Sequence, residues 1–183
     1  GALPGALTIQ DNPKLTTLDG LEGVEGLGEN NVGKSLYLSA NAVLWSIKAL
    51  SGIRGSLPGA LTISDNLHLT TLYGLQGVEG LGKNSAGDSL CLSSNDVLQS
   101  MDALFAVQGS LPGAVIIESN ANLTTLDGLH GVQGLGMNHY RDSLYLVSNT
   151  ALHSIEGLSA VRGALPGALT IRDNPNLTTL DGL

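Results

Sequence analysis

Apolar residues recur along this chain with two spacings. A tripeptide such as Leu7-Thr8-Ile9 places apolar residues two apart, as a short β-strand with one buried face does. After it, apolar residues fall at every third position: Leu15, Leu18, Leu21, Val24 and Leu27. An α-helix would spread a period of three around its whole circumference. The pattern therefore predicts short strands and turns that bend around an apolar core.

The pattern repeats every 54 residues without insertion or deletion. The repeats span 1–54, 55–108 and 109–162, followed by a partial copy at 163–183. The leading apolar positions are spaced alternately 29 and 25 apart: Leu7, Leu36, Leu61, Leu90, Val115, Leu144 and Leu169. A fixed period of this kind indicates stacked coils. We predict a mostly β or all-β fold, a single right-handed parallel β-solenoid or leucine-rich-repeat-like rod of about seven turns.

Stacked coils align equivalent residues in columns, and one column contains only asparagine. Its members are Asn12, Asn41, Asn66, Asn95, Asn120, Asn149 and Asn174. An amide both donates and accepts hydrogen bonds, so stacked amides can satisfy one another and the backbone at a turn. We interpret this column as a structural ladder. A second column holds small residues, where backbones are expected to approach closely: Gly20, Ala49, Gly74, Ala103, Gly128, Gly157 and Gly182.

Composition excludes several classes of protein. The formal net charge is −8 and no basic cluster occurs, which argues against a nucleic-acid partner. No apolar run approaches the ~20 residues of a membrane span. The single cysteine, Cys91, excludes an internal disulfide framework and is interpreted as a small apolar filler. Because the chain stops inside a repeat, we expect a fragment whose signal peptide or anchor lies outside it.

The repeated L-T-I-x-D-N-P-x-L-T-T-L-D-G-L resembles leucine-rich repeats, and more closely the turns of receptor L domains. The resemblance covers the whole chain. Two spacings, Leu57 to Leu61 and Asn66 to Leu69, are each one residue longer than in the common leucine-rich pattern. The cysteine-rich modules that accompany receptor L domains are absent. The resemblance implies an extracellular or cell-surface, non-catalytic binding or scaffolding module.

One segment matches a phosphate-binding pattern. Residues 28–35 fit G-x-x-x-x-G-K-[ST], in which backbone amides wrap a phosphate ahead of a helix. Here the next residues, Leu36-Tyr37-Leu38, are predicted as a strand. In the other two loops, Asp88 and Asp142 occupy the position of Lys34, and an aspartate repels phosphate. We therefore do not predict nucleotide binding.

The ionisable residues suggest neither catalysis nor a cofactor. Calcium needs six or more converging oxygens, whereas the aspartates here are interpreted as a solvated acidic edge. The histidines lie in different columns, so no zinc site or catalytic base is predicted: they are His68, His130, His139 and His153. No serine lies in a nucleophile-elbow pattern. We predict a non-enzymatic protein without metal or cofactor.

A hydroxyl column is the most regular outward feature. It consists of Thr17, Ser46, Thr71, Ser100, Thr125, Ser154 and Thr179. Such residues suit solenoid strands and bond the local backbone, which is the structural interpretation. The alternative is an ice-binding face. The neighbouring threonine column is interrupted by Trp45, Gln99 and His153 at every second turn, which breaks a regular two-column array.

Two further features point outward. The extra residues of each long turn predict protruding loops at 28–35, 82–89 and 136–143, and these differ most between repeats. Asn122 and Asn176 begin glycosylation sequons, although both arise from the repeated L-T-T.

We predict that the chain is an extracellular structural or adhesive repeat segment. Such a segment can form part of a long array or filament. Its partners are expected to be proteins, glycans or further copies of the chain bound end to end. Receptor-type recognition is the first alternative. It would use the long-turn loops and the outward strand residues Thr8, Tyr37, Thr62, Cys91, Ile116, Tyr145 and Thr170. An ice-binding solenoid is the second.

Overall fold

A computed structural model describes residues 1–183 and confirms a mostly β, parallel solenoid of about seven turns. In chain order the strands are β1 (Ala2–Leu3), β2 (Leu7–Gln10), β3 (Gly26–Leu27), β4 (Lys34–Ser39), β5 (Gly55–Leu57), β6 (Ala60–Ser64), β7 (Val78–Leu81), β8 (Asp88–Ser93), β9 (Gly109–Leu111), β10 (Ala114–Glu118), β11 (Val132–Leu135), β12 (Asp142–Val147) and β13 (Ala168–Arg172). Four short 3-10 helices complete the structure: Lys48–Gly52, Asp102–Leu104, Asp127–Leu129 and Glu156–Leu158.

One parallel sheet runs the length of the molecule. Its seven strands follow the order β2-β4-β6-β8-β10-β12-β13. The register pairs Leu7 with Leu36 and Leu36 with Leu61, so the leading apolar residues lie side by side. The alternating 29- and 25-residue spacing is therefore confirmed as one strand per turn. Three two-stranded parallel ribbons, β1-β3, β5-β7 and β9-β11, form a second wall.

The period of three has a simple hydrogen-bonding origin. In the turn that begins at Leu36, the N–H of Leu44 donates to the carbonyl of Asn41, that of Leu50 to Ile47, and that of Ile53 to Leu50. Each bond closes a three-residue step like that of a 3-10 helix, which has three residues per turn. Consecutive steps therefore return an apolar side chain to the same face at every third residue.

These steps and the sheet enclose one continuous apolar core. Thirty-seven buried residues form a single cluster, and those of the inner turns, such as Leu61, Ile63 and Leu90, are wholly inaccessible to solvent. The small-residue column lets the coils stack closely, as predicted. A methyl group added at Gly128 or Gly157 would overlap the carbonyl oxygen of Met101 or Leu126 in the preceding turn. No helix has the length and apolar character required to cross a bilayer.

Candidate functional site

The asparagine column forms a continuous chain of amide hydrogen bonds. At Asn95, the side-chain Nδ2 donates to the carbonyls of Ile63 and Ser93 at 3.0 and 3.1 Å and to Oδ1 of Asn120 at 3.2 Å. Its Oδ1 accepts from the backbone N–H of Asn66 at 3.2 Å. The five inner asparagines are fully buried, so these bonds satisfy groups that have no access to water. The column thus holds the fold together and is not available to a ligand.

The residue before each ladder asparagine has a left-handed backbone. The φ angles lie between 54 and 58° at Asp11, Ala40, Asp65, Ser94, Ser119, Ser148 and Asp173. Such a conformation is costly for residues other than glycine, although aspartate tolerates it better than most. It turns the chain sharply out of the sheet and directs the following asparagine inward.

The hydroxyl column is used largely within the chain. Its side-chain oxygens accept a hydrogen bond from the backbone N–H two residues later, as at Ser100 with Asp102 (2.9 Å) and Thr179 with Asp181 (2.8 Å). Thr17 instead donates to the carboxylate of Asp19. The neighbouring column is exposed and includes Trp45. This arrangement matches local backbone capping. It gives no added support to the ice-binding hypothesis, which stays a prediction.

The three long-turn loops share one backbone design built around an asparagine. In the second loop (82–89), Oδ1 of Asn84 accepts from the N–H groups of Ala86 at 2.9 Å and Asp88 at 3.0 Å. Asn30 and Asn138 bond the equivalent N–H groups of the first loop (28–35) and the third loop (136–143). The amides that a phosphate loop would offer to its ligand are thus engaged in the first loop. Lys34 begins strand β4, so the segment directly after the loop is a strand and not a helix.

The loops also stack directly on one another, although a short turn separates them along the sequence. The N–H of Ser85 donates to the carbonyl of Val32, and that of His139 to Ala86, both at 2.8 Å. Nδ2 of Asn138 donates to the carboxylate of Asp88 at 3.0 Å. We call this contact, repeated every 54 residues, the loop ladder. The sequence predicted the loops but not their contact.

Stacking explains the residue five positions after the glycine that begins each loop. Gly33 and Gly87 have φ angles of 71 and 92°, and a Cβ at either would lie 2.7 Å from the next loop's backbone. Arg141 has the same left-handed conformation, with φ of 69°. Within this chain no further loop lies over it, so its side chain has room. The recurrence of Asn and Gly at fixed loop positions was the signal that could have revealed the ladder.

The loops and the outer face of the sheet enclose a concave surface, which we call the loop-sheet groove. One part has a volume of about 420 Å³ and is lined by Asp88, Cys91, Ile116, Glu118, Asn138, Tyr140, Asp142 and Tyr145. The adjoining part measures about 440 Å³ and shares three of these residues, and its other lining residues include Val32, Lys34, Thr62 and Asn84. Four of the seven predicted outward strand residues, Thr62, Cys91, Ile116 and Tyr145, are thereby brought beside the loops.

The groove is acidic where the second and third repeats meet. Asp88, Glu118 and Asp142 are half-buried there, and none of them takes part in the ion pairs of the chain, which join Gly1 to Glu25, His130 to Asp127, and Arg172 to Asp173. Burial, together with the nearby charge of Asp88, raises the pKa of the Cys91 thiol to about 11. The thiol is therefore neutral near pH 7 and unsuited to nucleophilic chemistry, since the thiolate is the reactive form.

The remaining candidates lie apart from the groove or from one another. No group of three or more His, Cys, Asp or Glu side chains is arranged to hold a metal ion. Both sequon asparagines are exposed, and Nδ2 of Asn176 donates to the carbonyl of Thr150 at 2.9 Å. Their glycosylation stays a prediction.

Comparison with known proteins identifies no relative: no family model, no curated protein and no solved structure matches the chain. The parallel solenoid therefore rests on the structure itself. The likeness to leucine-rich repeats and receptor L domains remains a resemblance of sequence pattern.

Proposed function

We propose that this chain is a non-enzymatic, extracellular structural or adhesive repeat segment that binds a partner through its loop-sheet groove. The solenoid serves as a rod of fixed pitch, and the loop ladder presents side chains along one edge of it. A second copy bound end to end, an array or a filament is compatible with the same rod.

The constant and the variable positions of the loops have different roles, and this observation supports the proposal. The constant positions have internal roles, since Asn84 holds the loop backbone and Ser89 Oγ accepts the N–H of Gly113 at 2.9 Å. The variable positions lie between them and include Val32, Ala86 and Tyr140. Variable side chains on a constant, well-braced backbone are typical of recognition surfaces.

The ring of Tyr140 is the natural anchor, because its side chain is 80% exposed at the mouth of the groove. Exposed tyrosines contribute strongly to binding once a partner covers them. The receptor-type alternative would use the same groove, and a membrane span or kinase encoded in the same reading frame would support it.

Selection of ligands from a random peptide display library and a glycan array tests the proposal. We expect selected ligands to lose about tenfold or more in affinity for Tyr140→Ala, since a buried interfacial tyrosine commonly contributes over 1 kcal/mol. The matched control is Phe105→Ala, because Phe105 is 61% exposed and does not line the groove. Selection of no ligand, or of ligands affected only by the Phe105 change, would refute the proposal.

A further inference from the structure

From the groove's chemistry we infer its occupant: a lysine or arginine side chain carried on a short extended segment of a partner protein. This inference rests on the proposed function, because it names the partner chemistry of the same groove. It depends on three observations about the lining residues.

The first observation is the set of unpaired carboxylates. Asp88 accepts from the side-chain amides of Asn138 at 3.0 Å and Asn84 at 3.4 Å. Asp142 accepts from the Thr170 hydroxyl at 3.2 Å, and Glu118 has no side-chain hydrogen bond. Each carboxylate retains free acceptor positions, and no cationic side chain of this chain reaches it. The part of the groove around Tyr140 is lined by these three carboxylates and no basic residue, whereas the one lysine of the groove, Lys34, lies in the adjoining part over the ring of Tyr37. Concave surfaces in which one sign of charge predominates concentrate ligands of the opposite sign. The ligand that complements these carboxylates is therefore a cation from a partner.

The second observation is that this face already holds cations against tyrosines. Nζ of Lys34 lies 3.6 Å from the ring centroid of Tyr37, which belongs to the same outward column as Tyr145. In the third repeat Asp142 replaces that lysine, so the chain supplies no equivalent ammonium. Arg172 approaches Tyr145 at its hydroxyl end and lies 5.9 Å from the ring centroid. The ring of Tyr140 has no cation from this chain, and cations within about 6 Å of such a ring are attracted to it.

The third observation is an unsatisfied hydroxyl in the adjoining part of the groove. Thr62 is only 6% exposed, and its Oγ1 has no hydrogen-bond partner. Buried hydroxyls normally have partners, so this oxygen indicates a missing polar contact. Thr62 lines the adjoining part of the groove, so the missing contact lies at the groove wall.

The length of the occupant follows from the strand spacing. Thr62 and Tyr145 belong to strands three steps apart in the sheet, which is about 14 Å at roughly 4.8 Å per step. An extended chain covers about 3.3 Å per residue, so about five residues span the groove along the solenoid axis. A single cationic side chain near the middle of such a segment reaches the carboxylates.

The test uses the intact chain and two blocked pentapeptides, Gly-Ser-Arg-Ser-Gly and its citrulline counterpart, which has nearly the same shape without the charge. Chemical shift titration should place the arginine peptide at the amides of Cys91, Ile116 and Tyr140. We expect the citrulline peptide to bind at least tenfold more weakly. Glu118→Gln and Asp142→Asn should each weaken the arginine peptide about 3- to 10-fold, as for other partly exposed charged contacts.

The control variant is Asp102→Asn, which changes the net charge equally but lies outside the groove. It should leave the affinity unchanged. Equal binding of both peptides in the groove overturns the cation inference while the proposed function stands. Absence of groove shifts, or equal weakening by Asp102→Asn, also overturns the inference, and the proposed function is then decided by the separate ligand selection.

Discussion

At the scale of single residues, each corner of the solenoid depends on two neighbours. One has a left-handed backbone, such as Ser94, and the next is a buried asparagine, such as Asn95. The first residue has a strained backbone conformation. The side-chain amide of the second forms hydrogen bonds with backbone groups at the turn. Neither residue works alone, because the amide reaches its partners only from the turned backbone.

Replacement of an inner ladder residue should therefore be costly. Asn95→Ala removes five hydrogen bonds and leaves buried carbonyl and N–H groups without partners. We expect the free energy of unfolding in urea to fall by about 3 kcal/mol, the lower bound of several such losses. Asn12→Ala, at the exposed first position, should cost about 1 kcal/mol or less. Equal losses at the two positions would contradict the role assigned to burial.

The third loop carries strain that can be relieved. Arg141→Gly should raise the free energy of unfolding by about 0.5–1 kcal/mol, because a left-handed conformation costs other residues about 1–2 kcal/mol and glycine's flexibility offsets part of the gain. Arg141→Ala is the control, since it removes the charge but keeps the strained backbone. Urea unfolding measures both, and an equal gain for alanine would assign the effect to charge.

At the scale of elements, the sequence allowed the sheet to be predicted and left the loop ladder undetected. Alternation in Leu7-Thr8-Ile9 reports burial directly, so the seven strands of the long sheet and their alignment follow from the repeat, whereas the short strands of the second wall do not. The steps after it were predicted only as strands and turns, because a period of three does not distinguish a bend from a 3-10 segment. The contact between Val32 and Ser85 crosses an intervening turn, and no local pattern encodes it. The groove depends on that contact, which is why its outward strand residues were predicted but its shape was not.

The middle loop should brace the third loop. Asn84→Ala removes the acceptor for the N–H groups of Ala86 and Asp88, and we expect amide hydrogen exchange at both to accelerate. The His139 amide should accelerate as well, since it bonds to Ala86. Asn30→Ala is the matched control, because it loosens the first loop and should leave His139 unchanged. Unchanged exchange at His139 in the Asn84 variant would show that the loops are independent.

At the scale of the whole molecule, the core is a column of similar layers, and stability depends on how many neighbours a layer has. The turns containing Leu61 and Leu90 are covered on both sides, whereas residues of the last strand, such as Leu169, are exposed. In such an array each layer contributes its own stability and its contacts with adjacent layers. The inner turns therefore form the most protected part of this chain.

Equivalent truncations should reveal this gradient. Ile63→Ala in β6 removes a wholly buried side chain and should cost about 2–5 kcal/mol of unfolding free energy. Ile171→Ala occupies the same column in β13 but is only partly buried, so we expect roughly half that cost or less. Chemical denaturation measures both values. Similar costs at the two sites would mean that the end turn packs as firmly as the interior.

The loop ladder also limits how such a sequence can lengthen or shorten. Each loop rests on the loop two turns away, so loss of a single 25- or 29-residue coil would leave a loop facing a turn that has none, or place two loops on adjacent turns. The smallest stretch that can be gained or lost with every contact restored is a pair of coils, 54 residues long. This is the unit in which the sequence is duplicated. Duplications and deletions in such a gene are therefore expected to involve whole pairs of coils. The contact between loops sets the length of sequence that is gained or lost.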